Sequence, residues 1–236
     1  MNRYDYLERL GIDVYVPRNA PPEAPVAGII ATPAAALASA AIAGGAVATL
    51  DWTDLQRRIA ACTLCGLHST RTQTVFGVGN RNADWLVIGE APGAEEDARG
   101  EPFVGKAGQL LNSMLKAIGL SREQVFIANI LKCRPPGNRD PRPEEAALCR
   151  PYLERQIELI APGIILAVGR IAAQNLLGTE TPIGRLRGKV YSFGRAGIPL
   201  VVTYHPAYLL RTPAEKRKAW VDLKLARETL RGGSAT

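Results

Sequence analysis

A carboxylate, an amide and an imidazole each follow a short apolar run of the chain. These groups are Glu90, Asn129 and His205, and Gly169 with Arg170 follows a fourth run. In an open parallel sheet, ligands bind beyond the carboxyl ends of the strands, so groups that follow the strands are expected to meet at one edge. Taken singly, Asn129 is typical of a turn and His205 of a loop. Their expected convergence favours a binding pocket instead.

An aromatic side chain, Phe103, lies in a loop between Gly100 and Gly105 among acidic residues. It could fill the core, or it could stack on a planar ligand. The same stretch matches the phosphate-binding pattern G-x-x-x-x-G-K. However, Ala107 stands where that pattern needs a magnesium-binding hydroxyl, and no strand leads directly into Gly100. We therefore reject a phosphate-binding loop.

The chain has four cysteines, spaced as C-x2-C and, far downstream, as C-x15-C. Thiols in such a pattern, without a secretory signal, more often hold a metal than pair as disulfides. An iron-sulfur cubane is the first interpretation and a four-thiolate zinc site the second, because zinc ribbons usually repeat the tight C-x2-C pair. His68 could be a ligand, although a surface histidine is the preferred interpretation. The alternative is four unrelated thiols: Cys62, Cys65, Cys133 and Cys149.

The elements that must position these groups alternate along the chain. Continuous apolar runs are typical of strands that are buried on both faces, and helical patterns separate the runs. This order predicts right-handed crossovers and an α/β fold, a three-layer α/β/α domain with a central four-stranded parallel sheet. Leu186–Phe193 is expected to form a small extra strand. The four runs are Trp85–Gly89, Val125–Ile130, Ile164–Gly169 and Leu200–Tyr204.

The first 49 residues differ in composition from the rest. Asn2–Leu10 has the pattern of a short amphipathic helix, and the stretch from Arg18 to about Thr49 is rich in Pro, Ala and Gly. Such a composition buries too little area to offset chain ordering, so we predict a disordered N-terminal extension, residues 1–49, before a compact domain, residues 50–236. Val26–Leu50 carries no charge but few large apolar side chains, which favours a linker over a membrane span.

The formal net charge is +7. This positive charge favours an anionic partner, with nucleic acid first and an anionic membrane surface second. The alternative is that the charge only keeps the protein soluble. An acidic N-terminus is wrong for a signal peptide. We expect a monomeric protein in the cytoplasm, associated with the nucleoid and not with a membrane.

Several motifs, taken together and in order, resemble the family 4 uracil-DNA glycosylases, the iron-sulfur class of that superfamily. The resemblance covers about Asp51 to Leu230 and leaves the first 50 residues outside. It rests on the C-x2-C pair, GEAPG at Gly89–Gly93, PFVGKAG at Pro102–Gly108, NILKCRPPGNR at Asn129–Arg139, Cys149, and HPAYLLR at His205–Arg211. It implies four parallel strands between helices and a [4Fe-4S] cluster on Cys62, Cys65, Cys133 and Cys149.

The resemblance also implies an activity and the residues that perform it. Such an enzyme flips uracil out of single- or double-stranded DNA and hydrolyses its N-glycosidic bond in base excision repair. Phe103 would stack on the base, and Asn129 would recognise its O4 and N3–H edge. Backbone amides around Glu90 and Ala91 and the side chain of His205 would face O2.

The resemblance leaves the water-activating group open. The best-known branch of the superfamily has an aspartate and an aromatic residue where Ala91 and Gly93 stand here. Glu90 is the first candidate, and Asn138 is a candidate for positioning the water. The alternatives are Glu95, Glu96 and Asp97. Their non-catalytic interpretation is that they form a solvated helix start.

For DNA binding, we expect Leu209 and Leu210 to fill the vacated base stack, and Arg211 and Arg139 to hold phosphates. The cluster would tie distant segments together and hold Arg71–Arg81 and Arg134–Arg142 as a basic surface that faces DNA. The alternative function is a non-catalytic iron-sulfur module that binds DNA in replication or repair. A replication or repair partner could bind the N-terminal extension.

Overall fold

The computed structural model describes residues 47–233. The predicted helix Asn2–Leu10 and the tether up to residue 46 lie outside the described residues. Val47 is buried in the core and its carbonyl accepts a hydrogen bond from the Leu50 amide at 3.1 Å, so ordered structure is present three residues before the predicted boundary. No helix within this range is long and apolar enough to span a membrane.

A six-stranded sheet in the order β1-β3-β2-β4-β6-β5 forms the centre of the domain. The four inner strands are parallel, as predicted, and the two short edge strands run antiparallel to their neighbours. β5 is the extra strand expected near residue 190, whereas the two-residue β1 carries too little pattern to be predicted. The strands are β1 Val78–Gly79, β2 Trp85–Gly89, β3 Phe126–Asn129, β4 Ile164–Val168, β5 Val190–Phe193 and β6 Ile198–Thr203.

Eight α-helices of the described residues surround the sheet. Asp51 caps the first of them, because its carboxylate accepts a hydrogen bond from the Asp54 amide at 2.8 Å. The helices are α1 Trp52–Ala60, α2 Ala94–Arg99, α3 Lys106–Ala117, α4 Pro143–Ile160, α5 Arg170–Leu177, α6 Ile183–Leu186, α7 Pro206–Arg211 and α8 Lys216–Gly233.

Two apolar cores cover the two faces of the sheet, which confirms the three-layer α/β/α fold. Residues of α1, α4 and α5 pack with Leu86 and Ile88 on one face. Residues of α3 and α8 pack with Trp85 and Val87 on the other. Every residue of β2, β3 and β4 is buried, as the continuous apolar runs predicted. The four parallel strands therefore direct their carboxyl ends to one edge.

Candidate functional site

The carboxyl edge of the sheet lines one open pocket of about 780 Å³. Its size is in the range of small-molecule sites. The expected convergence is confirmed, since Glu90, Asn129 and His205 all line this pocket. Further lining residues that the sequence singled out are Ala91, Glu96, Phe103, Asn138, Arg139, Arg170 and Arg211.

Asn129 ends β3 with its side chain buried at this edge, and only 2% of the residue is exposed. Its Oδ1 atom is buried and has no hydrogen-bond partner. A buried acceptor without a donor costs about 1–3 kcal/mol. A ligand that brings an N–H group to Asn129 would remove this cost.

Gly89 leaves the space that Asn129 and Phe103 need. A Cβ atom at position 89 would lie 2.5 Å from Asn129 Oδ1 and 2.6 Å from Phe103 Cζ. Such distances are far below a van der Waals contact, so any side chain here would displace both residues. The first glycine of GEAPG is thus required by close approach at the pocket floor.

Phe103 is held in a strained backbone conformation. Its φ is 54°, in the left-handed region that non-glycine residues rarely adopt. Arg122 fixes the loop by donating to the carbonyls of Phe103 at 3.2 Å and Pro102 at 2.5 Å. The Phe103 ring stacks on the His205 ring at a centroid distance of 5.5 Å. Phe103 lines the pocket, but it is 6% exposed and also packs in the apolar core, so both interpretations of this side chain apply. The sequence around Phe103 gave no sign of its contact with Arg122.

His205 is the N-cap of α7. The Ala207 amide donates to its Nδ1 at 3.2 Å, so the ring proton must lie on Nε2. Burial, with a smaller contribution from Arg211, lowers the pKa of His205 to about 4. The ring is therefore neutral near pH 7, and its free polar group is an Nε2–H donor.

Glu90 begins the loop after β2, beside an ion pair that joins Asp140 to Arg170 at 2.5 Å. Burial, with a smaller contribution from the Asp140 carboxylate, raises the pKa of Glu90 to about 7, and Arg170 acts in the opposite direction. A carboxyl group that titrates near neutral pH is suited to proton transfer. Asp140 was not singled out from the sequence, because it belongs to a turn that only the fold brings to Glu90.

The acidic run after GEAPG holds loops in place. Glu96 accepts hydrogen bonds from the Gly93 amide at 3.1 Å and the Val104 amide at 3.3 Å, so it joins the Glu90 loop to the Phe103 loop. Asp97 is 2% exposed and accepts from the Thr72 amide at 3.0 Å, away from the pocket lining. The interpretation of these two residues as a solvated helix start is therefore wrong. Asp97 is also not placed to activate water.

Asn138 and Arg139 lie at the pocket with part of their polar groups already engaged. Asn138 has a φ of 55°, and its Oδ1 accepts from Arg134 Nε at 2.7 Å, which leaves its amide N–H groups available. Arg139 forms two hydrogen bonds with Glu145, at 2.9 and 2.5 Å. The Arg139 guanidinium is therefore fixed by a carboxylate of its own chain.

Two predicted DNA-facing side chains turn inward. Leu209 is 1% exposed and belongs to the core, so it cannot enter a base stack, whereas Leu210 is 43% exposed. Arg71 donates to the Cys62 carbonyl at 2.9 Å and to Cys133 Sγ at 3.1 Å. Arg81 lies over the Trp52 ring, 5.0 Å from its centroid, and remains exposed to solvent. The DNA-facing interpretation is wrong for Leu209, which belongs to the core, and for Arg71, which is directed at the cysteine segment. It stays a prediction for Arg81.

The four cysteines line a second cavity, together with mainly apolar residues. Cys62 follows α1, Cys65 precedes a short 3₁₀ helix, Cys133 follows β3 and Cys149 lies within α4. The fold therefore brings distant segments of the chain to one cavity. Burial raises the pKa of Cys149 to about 12 and also raises the pKa values of Cys133 and Cys65. In the described part of the chain, no three His, Cys, Asp or Glu side chains are arranged to hold a single metal ion.

Comparison with known proteins agrees with this fold. Residues 76–224 match the Uracil DNA glycosylase superfamily, and the chain belongs to it. It is 50% identical over 177 residues to a type-4 uracil-DNA glycosylase of Archaeoglobus fulgidus, covering 72% of this chain and 89% of the relative. Type-4 uracil-DNA glycosylases of Thermotoga maritima and Pyrobaculum aerophilum are 41% and 43% identical, each covering 75% of this chain and 93% of the relative. Within the superfamily, the chain belongs to the type-4 family.

Proposed function

We propose that this chain is a uracil-DNA glycosylase, which removes uracil from DNA by hydrolysing the N-glycosidic bond and leaves an abasic site. The unpaired, buried Asn129 Oδ1 carries this proposal. Uracil has an N3–H donor beside the O4 acceptor, which matches an amide that accepts and donates. Cytosine reverses this pattern, so it would leave buried polar groups of the site unpaired.

His205 would stabilise the departing base. Bond cleavage places negative charge on uracil, and a donor aimed at O2 binds that charge more strongly than the neutral ground state. The neutral ring with its proton on Nε2 supplies such a donor without its own charge. Phe103 would stack on the base, and backbone amides near Glu90 and Ala91 would add donors on the O2 side.

Glu90 is the group that we assign to water activation. Its deprotonated form is the base, and its pKa near 7 places the proton transfer close to neutral pH. Asn138, whose amide N–H groups are available at the same pocket, would position the water. Glu95 is exposed, and Glu96 accepts from two backbone amides, which makes both weaker candidates for the base.

The cysteine cavity fits a [4Fe-4S] cluster. Soft thiolates are suitable ligands, and a cubane would bind each of the four cysteines through a separate iron. The Tyr152 hydroxyl lies among these thiols, beside Cys62. Cys62, Cys65, Cys133 and Cys149 would hold the cluster. When bound, it supplies a rigid link between α1, the segment after β3 and α4, and no redox step is needed for hydrolysis.

The pocket edge supplies groups for the DNA substrate. Arg211 lines the pocket, and the exposed Leu210 precedes it. Leu210 would enter the base stack, and Arg211 would hold a phosphate. We further propose a monomer that acts at the nucleoid in the cytoplasm, with the N-terminal extension available to a replication or repair partner.

A cleavage assay tests the activity. The full chain is incubated with an oligonucleotide that carries a single uracil, and the products are then treated with alkali. We expect a single cut at the uracil position and none in a matched oligonucleotide with thymine there. Binding of the oligonucleotide without any abasic product would refute the enzyme and favour the non-catalytic DNA-binding module.

A further inference from the structure

Lys132 is a cation with 1% of its surface exposed, in the segment between Asn129 and Cys133. Its Nζ donates to the Asn129 carbonyl at 2.9 Å and to Gln156 Oε1 at 2.6 Å. Among residues 47–233, no carboxylate forms an ion pair with it. A buried ammonium without a counter-charge is strongly destabilising. Its partner charge must therefore come from other groups.

The acidic groups that share a cavity with Lys132 are the cysteines. Lys132 lines the cysteine cavity, and its own backbone N–H donates to Cys149 Sγ at 3.3 Å. Four thiolates around an iron-sulfur core leave net negative charge, which a buried cation offsets. The negative charge of the metal-loaded thiolates therefore explains why a cation is buried at this position.

On the other side, Lys132 holds the residue that recognises the base. The Asn129 carbonyl is one of its two acceptors, and the Asn129 side chain ends in the pocket. The ammonium is itself oriented, because Gln156, which is fully buried, donates to the Phe76 carbonyl at 2.9 Å while accepting from Lys132. A fixed chain of hydrogen bonds therefore leads from the core to the Asn129 backbone.

We infer that Lys132 is a positioning residue that couples the two sites, as the counter-cation of the metal-loaded thiolates and as the clamp on the main chain of the base-recognising Asn129. This inference rests on the proposed function. Arg71 provides the contrast, because it donates to Cys133 Sγ but to no residue that lines the base pocket. The coupling is thus specific to Lys132 and is not shared by every cation near the thiols.

Two measurements on Lys132→Met test the coupling. The first is the reduction potential of the reconstituted cluster, followed by its visible absorbance in a reductive titration. Loss of a nearby positive charge is expected to make this potential more negative. The second is inhibition of uracil excision by free uracil, whose inhibition constant should rise about 10-fold because the Asn129 main chain loses a charged hydrogen bond.

Arg71→Met is the matched control. It also removes a donor and a positive charge beside the thiols, so its potential should become more negative, while its inhibition constant for free uracil should stay within about twofold of the wild type. The coupling is refuted if Lys132→Met leaves the inhibition constant for free uracil as unchanged as Arg71→Met does. It is also refuted if Lys132→Met leaves the reduction potential unchanged.

Gln156→Met tests the same inference if Lys132→Met does not fold. It keeps the cation and removes one of its acceptors, so the inhibition constant for free uracil should rise about threefold. The reduction potential of the cluster should not change. An unchanged inhibition constant for free uracil in this variant would contradict the role of Lys132 in fixing the Asn129 main chain. A wild-type protein that binds no iron and excises no uracil would instead refute the proposed function, which separates the two failures.

Discussion

The base pocket and the cysteine cavity are built from neighbouring residues but differ in how their polar groups are satisfied. The pocket keeps an unpaired acceptor on Asn129, a strained Phe103 and a carboxyl group on Glu90 that titrates near neutral pH. In the cavity, two of the thiol sulfurs already receive donors, from Arg71 and from the Lys132 backbone. The difference indicates that the pocket is prepared for a ligand that enters and leaves, whereas the cavity is prepared for a permanent one.

The largest expected effect is on the cavity side. Cys133→Ala should lose iron and its absorbance and lower the Tm by roughly 10 °C or more, because metal binding contributes to folding free energy. Iron analysis and a thermal melt measure both. His68→Ala is the control, since His68 lines the same cavity but its Nδ1 lies 2.8 Å from the Cys65 carbonyl. A colourless Cys133→Ala protein with unchanged Tm and activity would contradict a structural role for the site.

A second substitution breaks the pocket without touching the cavity. Gly89→Ala would place a methyl group 2.5 Å from Asn129 Oδ1 and 2.6 Å from Phe103, so we expect uracil excision to fall at least about 100-fold with iron content unchanged. Single-turnover excision rates measure this effect. Gly184→Ala is the matched control, because a Cβ there meets nothing within 4 Å. Equal rates in the two variants would show that the close approach at Gly89 is not needed.

The pH profile examines the Glu90 assignment. A base acts when deprotonated, so the excision rate should rise with pH through about 7 and then level off. Asp140→Asn removes a like charge and frees Arg170, both of which lower the pKa of Glu90. The midpoint of the profile should therefore move to lower pH. A profile that is flat from pH 5 to 9, or a midpoint that does not move, would exclude Glu90 as the base.

The smallest expected effect is on DNA binding. Arg211→Ala should weaken binding several-fold and reduce the slope of log K against log salt by about 1, because one phosphate contact is lost. Binding titrations at several salt concentrations measure the slope. Arg195→Ala removes the same charge in the exposed turn between β5 and β6, away from the pocket lining. If both variants change the slope equally, the effect of Arg211 is one of net charge only.

Much of the fold could be predicted because its signal is local. Each buried parallel strand is a continuous apolar run, and residues that follow the runs must meet at the carboxyl edge, as Asn129 and His205 do. The motifs that carry the resemblance lie on these same segments. The pocket could therefore be placed from the sequence.

The direction of long side chains could not be predicted. Leu209 and Leu210 are adjacent and chemically identical, yet only tertiary packing buries the first and exposes the second. Arg71 belongs to a polar, arginine-bearing loop but turns to the cysteines, and Lys132 is buried although lysine is almost always exposed. These choices depend on partners that are distant in sequence, which periodicity does not reveal.

The central claim is that the Asn129 amide distinguishes uracil from cytosine, and one comparison tests it most directly. The wild type and Asn129→Asp are each given two oligonucleotides that differ only in one uracil or cytosine, and excision rates are measured. A carboxylate cannot donate to O4 but accepts from the cytosine amino group, so the variant should excise uracil about 100-fold more slowly and gain tolerance of cytosine. Unchanged rates and an unchanged preference for uracil would contradict the claim.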